Sequence, residues 1–193
     1  MLKLIDSIRE NGQLVPVIVR PAKNGNGYEM ISGHRRREAM KLLGHKEIEA
    51  EVRELDDDQA VILMVDSNIQ REHILPTERG YAYRMRLEAM RHQRKAFPVQ
   101  KTPGQIGLKY KKAPQTDEIL AEAIGTTRKQ LQRYIRMTYL NKDLQKMVDG
   151  LDPDGLHMAF NPACEISFLK KEEQEILVHV IKEKQATPSL AQA

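Results

Sequence analysis

Strand-forming sequence stops at Ile74. Up to that point short β-branched runs alternate with helical segments; beyond it no such run recurs. A chain that places all its strands in its first third can build only one small sheet, and the rest must pack helix against helix. Residues 2–11 put Leu4, Ile5 and Ile8 at helical spacing ahead of an Asn11-Gly12 stop. Val15 to Arg20 read as a strand, KNGNG as a hairpin turn and YEMIS, residues 28–32, as the return strand. A helix from His34 to Leu43 ends at Gly44, and residues 47–55 alternate apolar and charged residues as a half-exposed strand does. Residues 57–69 read as a helix with a broad apolar face of Ala60, Val61, Leu63, Met64 and Val65.

The expected class is therefore α+β, a small sheet-containing domain over residues 1–75 followed by an all-α domain over 116–193. Between them, residues 76–115 hold a long helix and a basic linker or hinge. The helix has Thr77 as its cap and Tyr81, Met85, Leu87 and Met90 among its apolar positions. Residues 96–115, with three prolines and two glycines, read as an exposed loop.

Charge follows the same division. Formal net charge is +4, but residues 71–115 carry eleven Lys or Arg against three acids. Concentrated basic charge of this kind is the footprint of a polyanion-binding surface, and double-stranded DNA is the partner it predicts. No run approaches the ~20 apolar residues of a membrane span, so no membrane partner is expected. No signal peptide is evident at the N-terminus. The single cysteine, Cys164, fits a reducing cytoplasm and reads as a buried small hydrophobe. The six histidines show no metal-ligand spacing.

Two stretches carry candidate chemistry. TDEILAEAIGTTRKQLQRYIRM, residues 116–137, has the pattern of a helix-turn-helix. Leu120 and Ile124 form the buried face of its first helix, Ala121 is small where the second helix approaches, and Gly125 supplies the turn. Thr126 or Thr127 caps the second helix, which Leu131, Tyr134 and Ile135 return to the core. The candidate DNA-binding residues are Thr127, Arg128, Lys129, Gln130, Gln132, Arg133 and Arg136, side chains of the kinds that read base edges or grip phosphates in a major groove. One such unit usually needs a partner, so self-association is expected.

The other stretch, ISGHRRREAMKLLG, sets Arg35, Arg36 and Arg37 in the first turn of a helix, where the positive end of the helix dipole disfavours cations. A phosphate ligand resolves the conflict. Gly33 lets backbone N–H groups approach an anion, and Arg35 and Arg36 become favourable beside it. Arg37 reads as projecting to solvent or pairing with Glu38 or Asp66. Asn68, Gln70 and Arg71 in DSNIQREH offer polar groups as a further wall.

In order along the chain these stretches resemble the ParB family of chromosome and plasmid partition proteins. SIRENGQLVPVIVRP is similar to the family's first box, ISGHRRREAMKLLG to its Gly-Glu-Arg-Arg box, SNIQREHILPTERGYAY to its Glu-Asn-x-Gln-Arg box, and ILAEAIGTTRKQLQRYIRM to its helix-turn-helix. The resemblance implies a ParB/sulfiredoxin-like N-terminal domain and a cytidine triphosphate (CTP) pocket with Mg²⁺. Its nucleotide-binding residues would be Ser32, Gly33, His34, Arg35, Arg36 and Asn68, with Asn68 also the candidate Mg²⁺ ligand. It further implies a centromere-like DNA site, CTP-controlled clamp formation, a Walker-type partition ATPase as partner, and a cytoplasmic, nucleoid- or plasmid-associated location. His34 and Ser67 stand where the family has glutamates, and both departures remove a carboxylate from beside the expected metal. CTP hydrolysis is accordingly left open. The alternatives are a nucleotide hydrolase or nuclease-like enzyme, and a transcriptional regulator of a mobile element that does not hydrolyse nucleotide.

Overall fold

The computed structural model describes residues 1–69, 73–96 and 115–192. The chain divides into two compact units, Met1–Asn68 and Ile69–Ala193.

In the first unit the order is α1 (Leu2–Asn11), β1 (Val17–Pro21), β2 (Tyr28–Ser32), α2 (His34–Leu42), β3 (Ala50–Val52) and α3 (Asp57–Ile69). The strand order is β2-β1-β3. β1 pairs antiparallel with β2, Val19 opposite Met30 and Arg20 opposite Glu29, with a register shift between Ile18 and Val19. It pairs parallel with β3, Val17 opposite Ala50. Being central, β1 needs apolar residues on its covered face, and Val17 and Val19, two apart, are both buried there. Leu4, Ile5 and Ile8 of α1 meet Ala39, Met40 and Leu43 of α2 in a small cluster completed by Ile48, so the helical spacing of α1 does make a core face. The strand expected over residues 47–55 shortens to the three exposed residues of β3. An edge strand with one neighbour is paired only where that neighbour's register reaches it.

Arg20 lies on the other face of β1. Its side chain is only 9% exposed and is held by Glu29 of β2 and by Asp57 at the start of α3, at 2.6 and 3.0 Å. It also donates to the Leu55 carbonyl at 3.3 Å. Hydrogen bonds from Lys23 and from Arg20 hold the Asp57 carboxyl below its usual range. A buried cation is tolerable only when paired in this way, and the network fastens β1, β2 and α3 together.

The second unit comprises α4 (Pro76–Ala96), α5 (Thr116–Ala123), α6 (Arg128–Arg136), a 3-10 turn (Met137–Tyr139), α7 (Lys142–Asp149), α8 (Phe160–Ile166) and α9 (Lys171–Lys184). It has two apolar clusters. One joins Tyr83 and Leu87 of α4 to Leu120, Ala121, Leu131 and Ile135. The other gathers Met137, Leu140, Leu144, Met147, Met158, Cys164 and Ile181 among others. The long helix is thus part of this unit rather than of a linker. Its buried stripe runs through Tyr83 and Leu87, while Tyr81 and Met85, read from sequence as apolar-face positions, are 43% and 40% exposed. Gly80 is one turn before Tyr83. A Cβ built on it would overlap the Tyr134 carbonyl oxygen of α6 and lie 3.1 Å from the carbonyl carbon. Its lack of a side chain lets the two helices touch backbone to side-chain-free backbone.

Thr77 does not cap α4, which begins at Pro76. Its N–H donates to Asp149 Oδ1 at 3.0 Å and its hydroxyl donates to Asp149 Oδ2. A carboxylate from the last residue of α7 therefore serves the start of α4, a cap no local pattern could reveal. Of the loop read over residues 96–115, residues 97–114 with their lysines lie outside the described residues, as do Gln70 and Arg71.

Candidate functional site

The glycine turn forms as the sequence implied. β2 ends at Ser32, opposite Ile18, and Gly33 precedes α2 with φ 105° and ψ 14°. A Cβ at Gly33 would lie 2.5 Å from Val17 Cγ1 and 2.9 Å from Val17 Cβ. Glycine is therefore required twice, by the backbone angle and by the close packing of the turn on β1. No side chain caps α2, and no acid stands in its first turn. The first N–H groups of a helix have no intrahelical acceptor, and the amides at His34 and Arg35 are among these.

Around this turn the three arginines separate. Arg35 and Arg37 are exposed, and Arg35 has no side-chain hydrogen bond or ion pair among the described residues. Arg36 turns back on the protein: its Nη1 donates to the carbonyls of Val15 and Pro16 at 2.7 and 2.9 Å. His34 is exposed. Asn68 is half-buried in the last turn of α3. The preceding Ser67 donates its hydroxyl to the Met64 carbonyl at 2.8 Å, so that oxygen's proton is already engaged. Among the described residues no group of three His, Cys, Asp or Glu is arranged to hold a metal ion. A lone carboxamide oxygen and a neutral imidazole do not make a Mg²⁺ site, since that ion prefers several hard oxygen ligands.

The two helices of the expected helix-turn-helix stretch form, as α5 and α6. Gly125, φ 68°, makes the turn, and Thr127 caps α6 by accepting from the Gln130 N–H at 3.2 Å. The candidate DNA-binding side chains divide into two groups. Arg128 is fixed to Asp117 at 2.7 Å, to Glu118 at 3.3 Å and to Gln115 at 2.6 Å. Gln132 donates to the same Asp117 oxygen at 3.0 Å. Arg133 donates to Asn161 and stands over the Phe160 ring, 5.2 Å from its centroid. Arg136 donates to Ser167 Oγ at 3.0 Å and stacks 3.7 Å from the Phe168 centroid. Lys129 is exposed and Gln130 half-buried, neither with a side-chain partner among the described residues. Both sit in the first turn of α6, the end that meets base edges when such a helix enters a groove.

Arginines elsewhere in the basic middle of the chain also serve the fold. Arg79 donates to Tyr134 Oη at 3.4 Å and lies 5.4 Å from that ring. Arg84 donates to Thr138 at 3.4 Å, and Arg94 to Thr116 at 3.1 Å. Charge counting alone assigns these cations to a polyanion; in the structure they join α4 to α5, α6 and the 3-10 turn.

Asp117 is a residue the sequence did not single out. It is 4% exposed. Burial alone would raise its pKa, but hydrogen bonds from Arg128 and Gln132 outweigh burial and leave it below the ordinary 3.8. A carboxyl with a depressed folded-state pKa contributes stability that is present above the unfolded value and is lost as pH falls through the folded one. Asp117→Asn should lower unfolding free energy at pH 7 by about 1.5–3 kcal/mol. The deficit should shrink as pH drops below 3.8. Urea denaturation at several pH values reads this directly.

Residues 1–69 match the family of ParB N-terminal domains. A chromosome-partitioning protein of Thermus thermophilus, Spo0J, is 43% identical over 86 residues, which is 45% of this chain and 31% of that protein. A nucleoid occlusion protein of Oceanobacillus iheyensis is 27% identical over 183 residues, 94% of this chain and 54% of that protein. The chain thus spans between about a third and a half of the length of these curated relatives. Among solved structures, the C-terminally truncated chromosome-partitioning protein ParB of Caulobacter crescentus, complexed to the centromeric parS site, is similar in fold. It aligns with a TM-score of 0.50 at 22% identity, over 96% of this chain and 82% of that one. Among the described residues no helix is long and apolar enough to cross a membrane.

Proposed function

The chain belongs to the ParB family, and from that premise we propose that it is a DNA-binding, partition-type protein with a nucleoside triphosphate site at its glycine turn. The reading rests on a match to the ParB N-terminal domain together with α5 and α6, whose second helix has Lys129 and Gln130 in its first turn without side-chain partners among the described residues. α6 would lie in the major groove with those two side chains at base edges. Thr127 holds the helix start in place. Arg128, Arg133 and Arg136, already tethered, present their remaining N–H groups to phosphates. A single unit reads one half-site, so two copies would act together. A Walker-type ATPase remains the expected protein partner.

In the N-terminal unit the triphosphate would sit against the amides of His34 and Arg35, with the Arg35 guanidinium neutralising it. CTP is the nucleotide the family resemblance points to. The chain's own donors do not suit Mg²⁺; control by binding alone fits these residues. Isothermal titration with each of the four ribonucleoside triphosphates, with and without DNA, tests this part.

DNA binding has its own test. Fluorescence anisotropy at low salt should show salt-dependent affinity for a defined duplex. Lys129→Ala and Gln130→Ala should each cost about 1–3 kcal/mol of specific affinity and relax preference at one base position. Their non-specific binding should change little for Gln130→Ala and slightly for Lys129→Ala, which loses a charge. No affinity across a genomic pool would end the proposal.

A second reading, a nucleoid-occlusion or regulatory role, is favoured by the length of the match to the Oceanobacillus protein, which runs through nearly the whole chain. Mapping bound sites separates them: one cluster supports partition, whereas scattered or promoter sites support the second.

A further inference from the structure

Five residues, Gly12 to Pro16, join α1 to β1, and two side chains hold the last four of them, Arg36 from α2 and the loop's own Gln13. Arg36 reaches from the first turn of α2 and donates from Nη1 to both the Val15 and Pro16 carbonyls. Gln13 donates to the Val15 carbonyl at 3.1 Å and to the Glu49 carbonyl at 2.7 Å, and its Oε1 accepts from the Glu49 N–H at 2.9 Å. The Glu49 carbonyl accepts from the Val17 N–H at 3.0 Å as well. Val15 O is therefore shared by the two tethers, and the next residue but one, Val17, is the residue on which Gly33 packs. Loop 13–16, β1 and the glycine turn are joined by hydrogen bonds at one end and by van der Waals contact at the other. Leu14 and Val15 project outward, 75% and 57% exposed. The loop's position depends on Arg36 and Gln13.

We propose that Arg36 is a positioning residue, which locks loop 13–16 beside the glycine turn together with Gln13 and so shapes one wall of the nucleotide site, while Arg35 is the cation that meets phosphate. The inference rests on the nucleotide reading for its consequence, but not for the tether itself. Two neighbouring arginines in one helical turn thus do different work. One is satisfied by main-chain carbonyls, each a directional acceptor at fixed distance. The other, with no side-chain partner among the described residues, can turn to an anion.

Hydrogen exchange and titration together test this. In the nucleotide-free chain, Arg36→Ala should raise amide exchange over residues 14–18 by about tenfold, as loss of hydrogen bonds from a charged donor implies. Gln13→Ala should do the same, whereas Arg35→Ala should leave those amides unchanged. With triphosphate, Arg35→Ala should lose affinity steeply and flatten its salt dependence, because a phosphate charge partner is gone. Arg36→Ala should lose about tenfold with the salt dependence of the unmodified chain. Unaltered exchange at residues 14–18 in both Arg36→Ala and Gln13→Ala would overturn the tether. So would a salt dependence in Arg36→Ala as flat as that of Arg35→Ala. Should Arg36→Ala fail to fold, Gln13→Ala, which keeps all three arginines, carries the exchange arm. If the unmodified chain binds no triphosphate, the nucleotide reading fails, and the exchange arm alone decides whether Arg36 positions the loop.

Discussion

Gly80→Ala is expected to lower the thermal unfolding transition of the C-terminal unit by destabilising the packing of α4 on α6. Two effects oppose. In a helix interior alanine is preferred over glycine by about 1 kcal/mol, and Gly80 lies within the helix Pro76–Ala96. Against that, the added methyl would overlap the Tyr134 carbonyl and stand 3.4 Å from Thr138 Cγ2. The overlapped atom is main chain of α6, so no rotamer change relieves it and the helices must separate. Over-packing costs ~1–3 kcal/mol where side chains can give way, and more where they cannot. Separation would also strip the Tyr83–Tyr134 edge contact, ring centroids 5.7 Å apart, and the Arg79–Tyr134 contact. A net loss of about 2–4 kcal/mol is expected. Thermal unfolding should show the C-terminal transition falling while the N-terminal one stays, and specific DNA affinity should fall with it. An unchanged or raised transition would mean that α4 and α6 are not packed backbone to backbone.

Gly33→Ala is the second. A residue with a Cβ pays roughly 1–2 kcal/mol to hold a left-handed conformation, and here the Cβ also meets Val17, which is fully buried. Val17 is in the central strand, so the overlap cannot be relieved without moving β1 in both its pairings. The expected cost is about 3 kcal/mol or more. A unit of this size has roughly 3–10 kcal/mol in all, so the N-terminal unit should be partly unfolded at room temperature. Far-UV circular dichroism and exchange of the β1 amides measure it. Triphosphate affinity should fall even in the folded fraction, because the turn's amides are displaced. A folded Gly33→Ala chain that lost only nucleotide binding would show that the glycine serves the ligand alone, and not the packing on Val17.

The two glycines differ in how far they could be read in advance. Gly33 stands between a strand pattern and a helix pattern, and that local switch of period marks a turn needing an unusual backbone angle. Its contact with Val17 is sixteen residues away in sequence and left no trace in either neighbourhood. Gly80 gave no local signal at all: inside a helical pattern it looks like a mild defect, and only the crossing of α4 over α6 makes it a requirement. Thr77 is a similar case. A threonine after proline at a helix start is a reasonable cap by local rules, but the carboxylate of Asp149, 72 residues on, takes both of its polar groups.

Periodicity and turn chemistry, which act over a few residues, determined the class of this protein from sequence: a small sheet early, helices after it, a glycine-led helix start and a helix-turn-helix pattern whose second helix is capped by Thr126 or Thr127, the structure choosing Thr127. Tertiary structure alone decided what each charge is for. Arg35, Arg36 and Arg37 are identical letters in one helical turn, yet one is held by the carbonyls of residues 15 and 16 and the others face water. Arg128 and Lys129 are adjacent, yet only the first is fixed by Asp117. A guanidinium settles on whichever acceptor the fold brings within about 3 Å, and residues distant in the chain supply that acceptor. Hydrophobic spacing therefore says where a helix lies, whereas the partner of a long cationic side chain is known only once the neighbouring elements are in place.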